Sequence, residues 1–160
     1  MSWNLKNLKK TNKPHHMIIA VDFDGTIVEH RYPEIGKEKL FAFETLKKLQ
    51  QQGHLLILWT IRTGKELDEA VAFCLKNGVE FYAVNKNYPE EEFDEGTSRK
   101  VNAELYIDDR NIGGFPGWGE IYQMLSRDIP AHERELFMSH YKQAKRKTFC
   151  GFLKSLFRRE

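Results

Sequence analysis

The sequence predicts an α/β domain whose sheet is mostly parallel and carries helices on both faces. Three observations lead there. Short apolar runs recur along the chain, stretches with helical spacing of their apolar residues alternate with them, and acidic or hydroxyl residues stand where several of the runs stop. At 160 residues the chain has the length of one domain, and 41% hydrophobic with 12% aromatic residues is enough for a single core.

Met17 to Asp22 is the first run, short and apolar enough for a buried strand. Lys37 to Gln52 then places Leu40, Phe43, Leu46 and Leu49 at helical spacing, with Gly53 as the stop. His54 to Thr60 reads as a second buried strand. Thr63-Gly64-Lys65-Glu66 has the capping-box pattern that opens a helix carrying Leu67, Ala70, Val71, Cys74 and Leu75 before Gly78. Val79 to Val84 is a third strand, Asn85 to about Ser98 a polar, acidic loop, and Ala103 to Asp108 a fourth strand. The Gly-rich aromatic segment Gly113 to Gly119 leads into a helix around Glu120 to Arg127, which Pro130 helps to end. Beyond Ala131 the pattern is a helical extension, with Phe137, Tyr141 and Ala144 on one modest stripe and Phe149, Phe152, Leu153 and Leu156 on a sharper one.

The net charge of +2 hides a segregation. A basic N-terminal tail, residues 1–16, carries +4, and the extension, residues 131–160, carries +5, so the body, residues 17–130, carries −7. An acidic body argues against a broad nucleic-acid track. The longest apolar runs fall far short of the ~20 residues that cross a bilayer, which excludes integral membrane association. Four lysines before Met17 imitate a secretory signal, but Asp22 and Asp24 interrupt the apolar run that follows. With only Cys74 and Cys150 there is no disulfide framework, and the expected location is cytoplasmic.

The strand ends carry the chemistry. Asp22-Phe23-Asp24-Gly25-Thr26 closes the first, Thr60 the second and Asp108-Asp109 the fourth, with Lys100 just before the fourth. In an open parallel sheet these ends lie on one edge, where ligands bind. Carboxylates gathered in a partly buried cleft repel one another unless a cation joins them, and hard oxygen ligands without Cys or paired His select Mg²⁺. Each residue also has a plainer reading: the aspartates as turn residues, Lys100 as a solvated lysine, Arg62 and Arg110 as surface ion-pair partners, Phe115 and Trp118 as packing, His15-His16 as exposed tail. Thr63 as a helix cap is the rival of Thr60. Glu90 to Glu95 reads as a solvated loop, with a mobile lid as the alternative.

In order, Asp22 to Thr26, Leu55 to Thr60, Lys100 and Leu105 to Asp109 resemble the four motifs of the haloacid dehalogenase-like (HAD) phosphohydrolase superfamily, across residues 17–127. The resemblance implies a Rossmann-like fold and a Mg²⁺-dependent phosphomonoester hydrolase that works through an aspartyl-phosphate on Asp22. It implies Asp24 as the acid and base, its main-chain carbonyl as a metal ligand, Thr60 as a phosphoryl-oxygen donor and Lys100 as the charge that offsets Asp22. Asp109 with Asp108 beside it is the implied acidic pair, with the order within the pair open. Arg62 is a further candidate for phosphate binding at the mouth. Ile27 to Lys37 and Asn85 to Arg99 are of loop length, so no cap domain is expected, and a capless member resembles those that act on large or exposed phosphoryl groups or those whose subunits cover one another's sites. The expected substrate is a small-molecule phosphate ester of unknown identity. A phosphatase for nucleic-acid ends and a non-catalytic phosphate- or metal-binding regulator are the alternatives. The extension offers three uses: docking on its own domain, a homo-oligomer interface through residues 131–160, or an anionic membrane surface.

Overall fold

Apolar side chains that alternate between two buried faces make the central strands. Ile18–Val21 (β1) lies between Leu55–Leu58 (β2) and Leu105–Ile107 (β4), and β2 pairs with Ala83–Val84 (β3), all parallel, in the order β3-β2-β1-β4. The computed structural model describes residues 16–125 together with helical positions 132, 135, 136, 138–144, 146 and 147. Residues 1–15 of the expected N-terminal tail and the Phe137, Phe149, Phe152, Leu153 and Leu156 positions of the extension lie outside the described residues.

Register decides which face each strand residue joins. Ile19 pairs with Leu56 and Leu105, and Val21 with Leu58 and Ile107. These side chains share one core with Ala42, Phe43, Leu46 and Leu49 of helix α1 (Ala42–Gln51), Ala70 and Cys74 of α2 (Gly64–Lys76), and Trp118 and Ile121 of α3 (Trp118–Leu125). The other face, with Ala20, Ile57 and Ala83, is closed by Val101, Ala103, Trp59 and Tyr106. The expectation of helices on both faces is therefore corrected: α1, α2 and α3 all pack on one face. Both β1-to-β2 and β2-to-β3 step in the same direction along the sheet, so right-handed crossovers put α1 and α2 on the same side. The return from β3 to β4 carries no helix to cover the other side.

Two further boundaries move. α1 begins at Ala42 rather than Lys37, because the preceding segment pairs instead with the turn after β1: Glu29 N–H donates to the Lys37 carbonyl at 2.7 Å and Lys39 N–H to the Ile27 carbonyl at 2.8 Å. Phe41 then turns the chain into the helix with φ 62°. The Thr63 side chain makes no cap hydrogen bond, so the expected capping box is not formed.

The described part of the extension docks on its own domain. Tyr141 is buried, its ring 5.5 Å from that of Phe41, and its hydroxyl donates to Glu120 Oε2 at 3.1 Å. A β-carbon at Gly119 would overlap that ring, so this glycine is what lets the aromatic side chain close against the start of α3.

Candidate active site

The sheet delivers its polar residues to one edge because three parallel strands end together. Asp22 follows β1 and is held to β4 by its N–H, which donates to the Ile107 carbonyl at 2.9 Å. Asp108 and Asp109 follow β4 directly, and Thr60 stands two residues beyond β2. Oxygens of Asp22, Asp108 and Asp109 lie within 4.8 Å of one another. A cleft of about 250 Å³ opens beside Asp22 and Asp108, lined by these two together with Asp24, Trp59, Thr60, Ile61 and Arg110.

A tight turn after β1 makes the convergence possible. Gly25 adopts φ +89°, and the Ile27 and Val28 N–H groups return to the Phe23 carbonyl. Thr26, fully buried, bridges the two strand ends: its hydroxyl donates to Asp22 Oδ2 at 3.1 Å and accepts from the Asp109 N–H at 3.0 Å. The Trp118 indole N–H fixes the Thr26 carbonyl at 2.8 Å. Trp118 is thus packing, as its plainer reading has it, and it also anchors the turn.

Burial pushes the Asp22 carboxyl up from 3.8 to about 7, with Asp108 and Asp109 adding to the rise and hydrogen bonds from the Phe23 backbone and the Thr26 hydroxyl opposing it. Asp109 Oδ1 is buried with no hydrogen-bond partner. An orphaned anionic oxygen beside two other carboxylates fits a hard divalent cation, which would satisfy the orphan and relieve the repulsion. Asp22, Asp108 and Asp109 are the residues whose side chains would hold it.

Asp24 stands apart from that group. Its two oxygens accept from Arg62, Oδ2 from Nε at 2.6 Å and Oδ1 from Nη2 at 2.8 Å. Arg62 also donates from Nη1 to the Pro33 carbonyl at 2.9 Å and from Nη2 to the Glu34 carbonyl at 2.8 Å, and it is fully buried. The expectation of Arg62 at the mouth as a phosphate binder is corrected by this: its donors are spent on Asp24 and on main-chain carbonyls, and no solvent reaches it. Arg110 lines the cleft instead, its N–H donating to Asp108 Oδ1 at 2.7 Å.

Lys100 is not brought to the cleft. It is exposed, and its ammonium lies over the Tyr106 ring, 5.0 Å from the centroid. Tyr106 belongs to the face of the sheet that the helices leave, and the Lys100 side chain follows it there. The cleft has Thr60 as expected, and its backbone is fixed by Asn85, which the sequence reading missed. The Thr60 N–H donates to Asn85 Oδ1 at 2.8 Å, and Asn85 reaches it with φ 53°, a conformation that asparagine tolerates well. Glu91 is also no solvated loop residue, since it is buried and accepts from the backbone and side-chain N–H groups of Asn87, both at 2.6 Å.

Fold and site together define a parallel α/β protein with a carboxylate cleft at the carboxyl ends of its strands. No family model matches the chain, and no curated protein does. A solved structure of the conserved protein coded by a locus of Bacteroides thetaiotaomicron is 61% identical, over 72% of this chain and 93% of that one, with a TM-score of 0.67. The chain belongs to the family of that conserved protein. No helix among the described residues is long and apolar enough to cross a membrane.

Proposed function

We propose that the protein is a Mg²⁺-dependent phosphomonoester hydrolase of the HAD type without a cap, acting on a small-molecule phosphate ester. The observation that carries this reading is the meeting of Asp22, Asp108 and Asp109 within 4.8 Å at the ends of adjacent strands, in an open cleft with Thr60. Asp22, Asp108 and Asp109, with the main-chain carbonyl of Asp24, would hold Mg²⁺, which when bound would neutralise the charge of an approaching phosphoryl group.

The residues of the chain divide the remaining work. A carboxylate oxygen of Asp22 attacks phosphorus, the bond from phosphorus to the ester oxygen breaks, and Asp24 gives its proton to that departing oxygen. A water then attacks the aspartyl-phosphate, Asp24 takes the proton from it, and phosphate leaves as the Asp22 carboxylate is restored. Thr60 donates to a phosphoryl oxygen. Arg110, which lines the cleft, is the cationic residue offered to the incoming dianion, a part that the resemblance gives to Lys100.

The test is hydrolysis of an aryl phosphate with Mg²⁺ and after its removal by a chelator. Turnover should require the metal, and Asp22→Asn should abolish it while the folded far-UV spectrum is kept. An Asp22→Asn protein as active as the wild type would reject the nucleophile, and no turnover of any phosphomonoester in a broad panel would reject the reading.

A further inference from the structure

Arg62 is the most heavily bonded side chain near the cleft, and the metal-binding carboxylates do not use it. It makes four hydrogen bonds: two to Asp24, and one each to the carbonyls of Pro33 and Glu34. Its guanidinium lies over two rings, 5.0 Å from the Phe23 centroid and 5.2 Å from that of Tyr32. Arg62 is fully buried, so it has no water to take the place of Asp24.

We propose that Arg62 is the positioning residue for Asp24. This rests on the phosphatase reading above, in which Asp24 moves the proton. A carboxyl group offers two positions on each oxygen, for a hydrogen-bond donor or for the acid proton. The arginine fork occupies one on each oxygen, which leaves the others for the cleft that Asp24 lines. The fork thus sets the direction in which Asp24 presents its free acceptor sites, and holds the carboxylate away from Asp22, Asp108 and Asp109. Because the far side of the guanidinium is fastened to residues 33 and 34, the segment after the first turn becomes the frame against which Asp24 is aligned. A lysine cannot take this place, since a single ammonium has neither the planar fork nor the reach to both carbonyls.

The role separates from simple phosphate binding through the leaving group. A departing oxygen that is strongly basic needs the proton from Asp24, whereas a weakly basic one leaves without it. Steady-state kinetics of the full chain with Mg²⁺ on phenyl phosphate and on 2,4-dinitrophenyl phosphate read this directly. Arg62→Lys should lower kcat/KM, which reports the steps up to departure of the leaving group, by about 30-fold on phenyl phosphate and by less than about threefold on the dinitrophenyl ester, the pattern of a misaligned acid. Asp24→Asn should give the same pattern, and adding Arg62→Lys to it should cost no more than about twofold further. Tyr32→Ala, at a half-exposed ring that the core does not need, should reproduce the selective loss at about threefold, and carries the test should Arg62→Lys fail to fold.

Equal losses of kcat/KM on both esters would overturn the positioning role and assign Arg62 to phosphate binding. A wild-type protein that hydrolyses neither ester with Mg²⁺ would instead overturn the phosphatase reading, and the positioning role with it.

Discussion

A β-carbon at position 25 would collide with the carboxylate of Asp109. The end of β4 has therefore closed onto the backbone of the turn after β1, and only a glycine permits that approach, at a φ of +89° that also disfavours any other residue. Gly25→Ala is expected to push Asp109 outward and weaken Mg²⁺ binding by about 10- to 100-fold, the range seen when a ligand loses its support. Isothermal titration with MgCl₂ checks this.

Thr26 joins the same two strand ends through its hydroxyl. Thr26→Val keeps the shape but leaves the Asp109 N–H without an acceptor, at a cost of about 1–3 kcal/mol in stability by urea unfolding. It also removes a donor that lowers the Asp22 value, so Asp22 should titrate higher than in the wild type. Thr26→Ser, which restores the hydroxyl, should recover both.

Stability of the metal-free protein should fall as pH rises. The Asp22 carboxyl is raised in the folded state from 3.8 to about 7, so between those values the folded chain binds the proton that the unfolded chain has released. The contribution is complete below the unfolded value and is gone once pH passes the folded one, a span of at most about 4 kcal/mol. Thermal unfolding in EDTA should show a wild-type Tm that declines across this window relative to Asp22→Asn. On the proposed reading Mg²⁺ would take the place of the proton as the neutralising charge, so its stabilising effect should be larger at about pH 8 than at about pH 5.

How much of this was readable from the letters differs by residue. β1, β2 and β4 are apolar runs broken by carboxylates or a hydroxyl, and burial on both faces forces that pattern, so Asp22, Thr60, Asp108 and Asp109 could be placed together in advance. Arg62 could not. Its partners are carbonyls, which every residue has, brought in from a loop whose path is set by the pairing of residues 27–29 with 37–39. The same pairing hid the late start of α1, because Leu40 keeps helical spacing with Phe43 although it lies outside the helix. Lys100 was misplaced because nothing in sequence says to which face of the sheet a long side chain before a short strand will turn.

The contact between Tyr141 and Gly119 predicts how the C-terminal segment is held. Gly119→Ala should dislodge the ring and open the helical positions 138–144 to limited proteolysis, while Tyr141→Ala should cost about 2–4 kcal/mol through the volume it vacates. Both variants leave the carboxylates untouched, so Mg²⁺ titrations should match the wild type.

The hydrogen bond from Thr60 to Asn85 has a consequence for anyone hoping to redirect the protein to new molecules. The connection between β3 and β4 looks like free ground for insertion, being long and polar, yet its first residue is mortar in the wall of the cleft. Asn87, which ties to both Glu91 and the N–H of Asn102, pins the middle of the same connection. Libraries that reach into this connection should therefore spare the two asparagines.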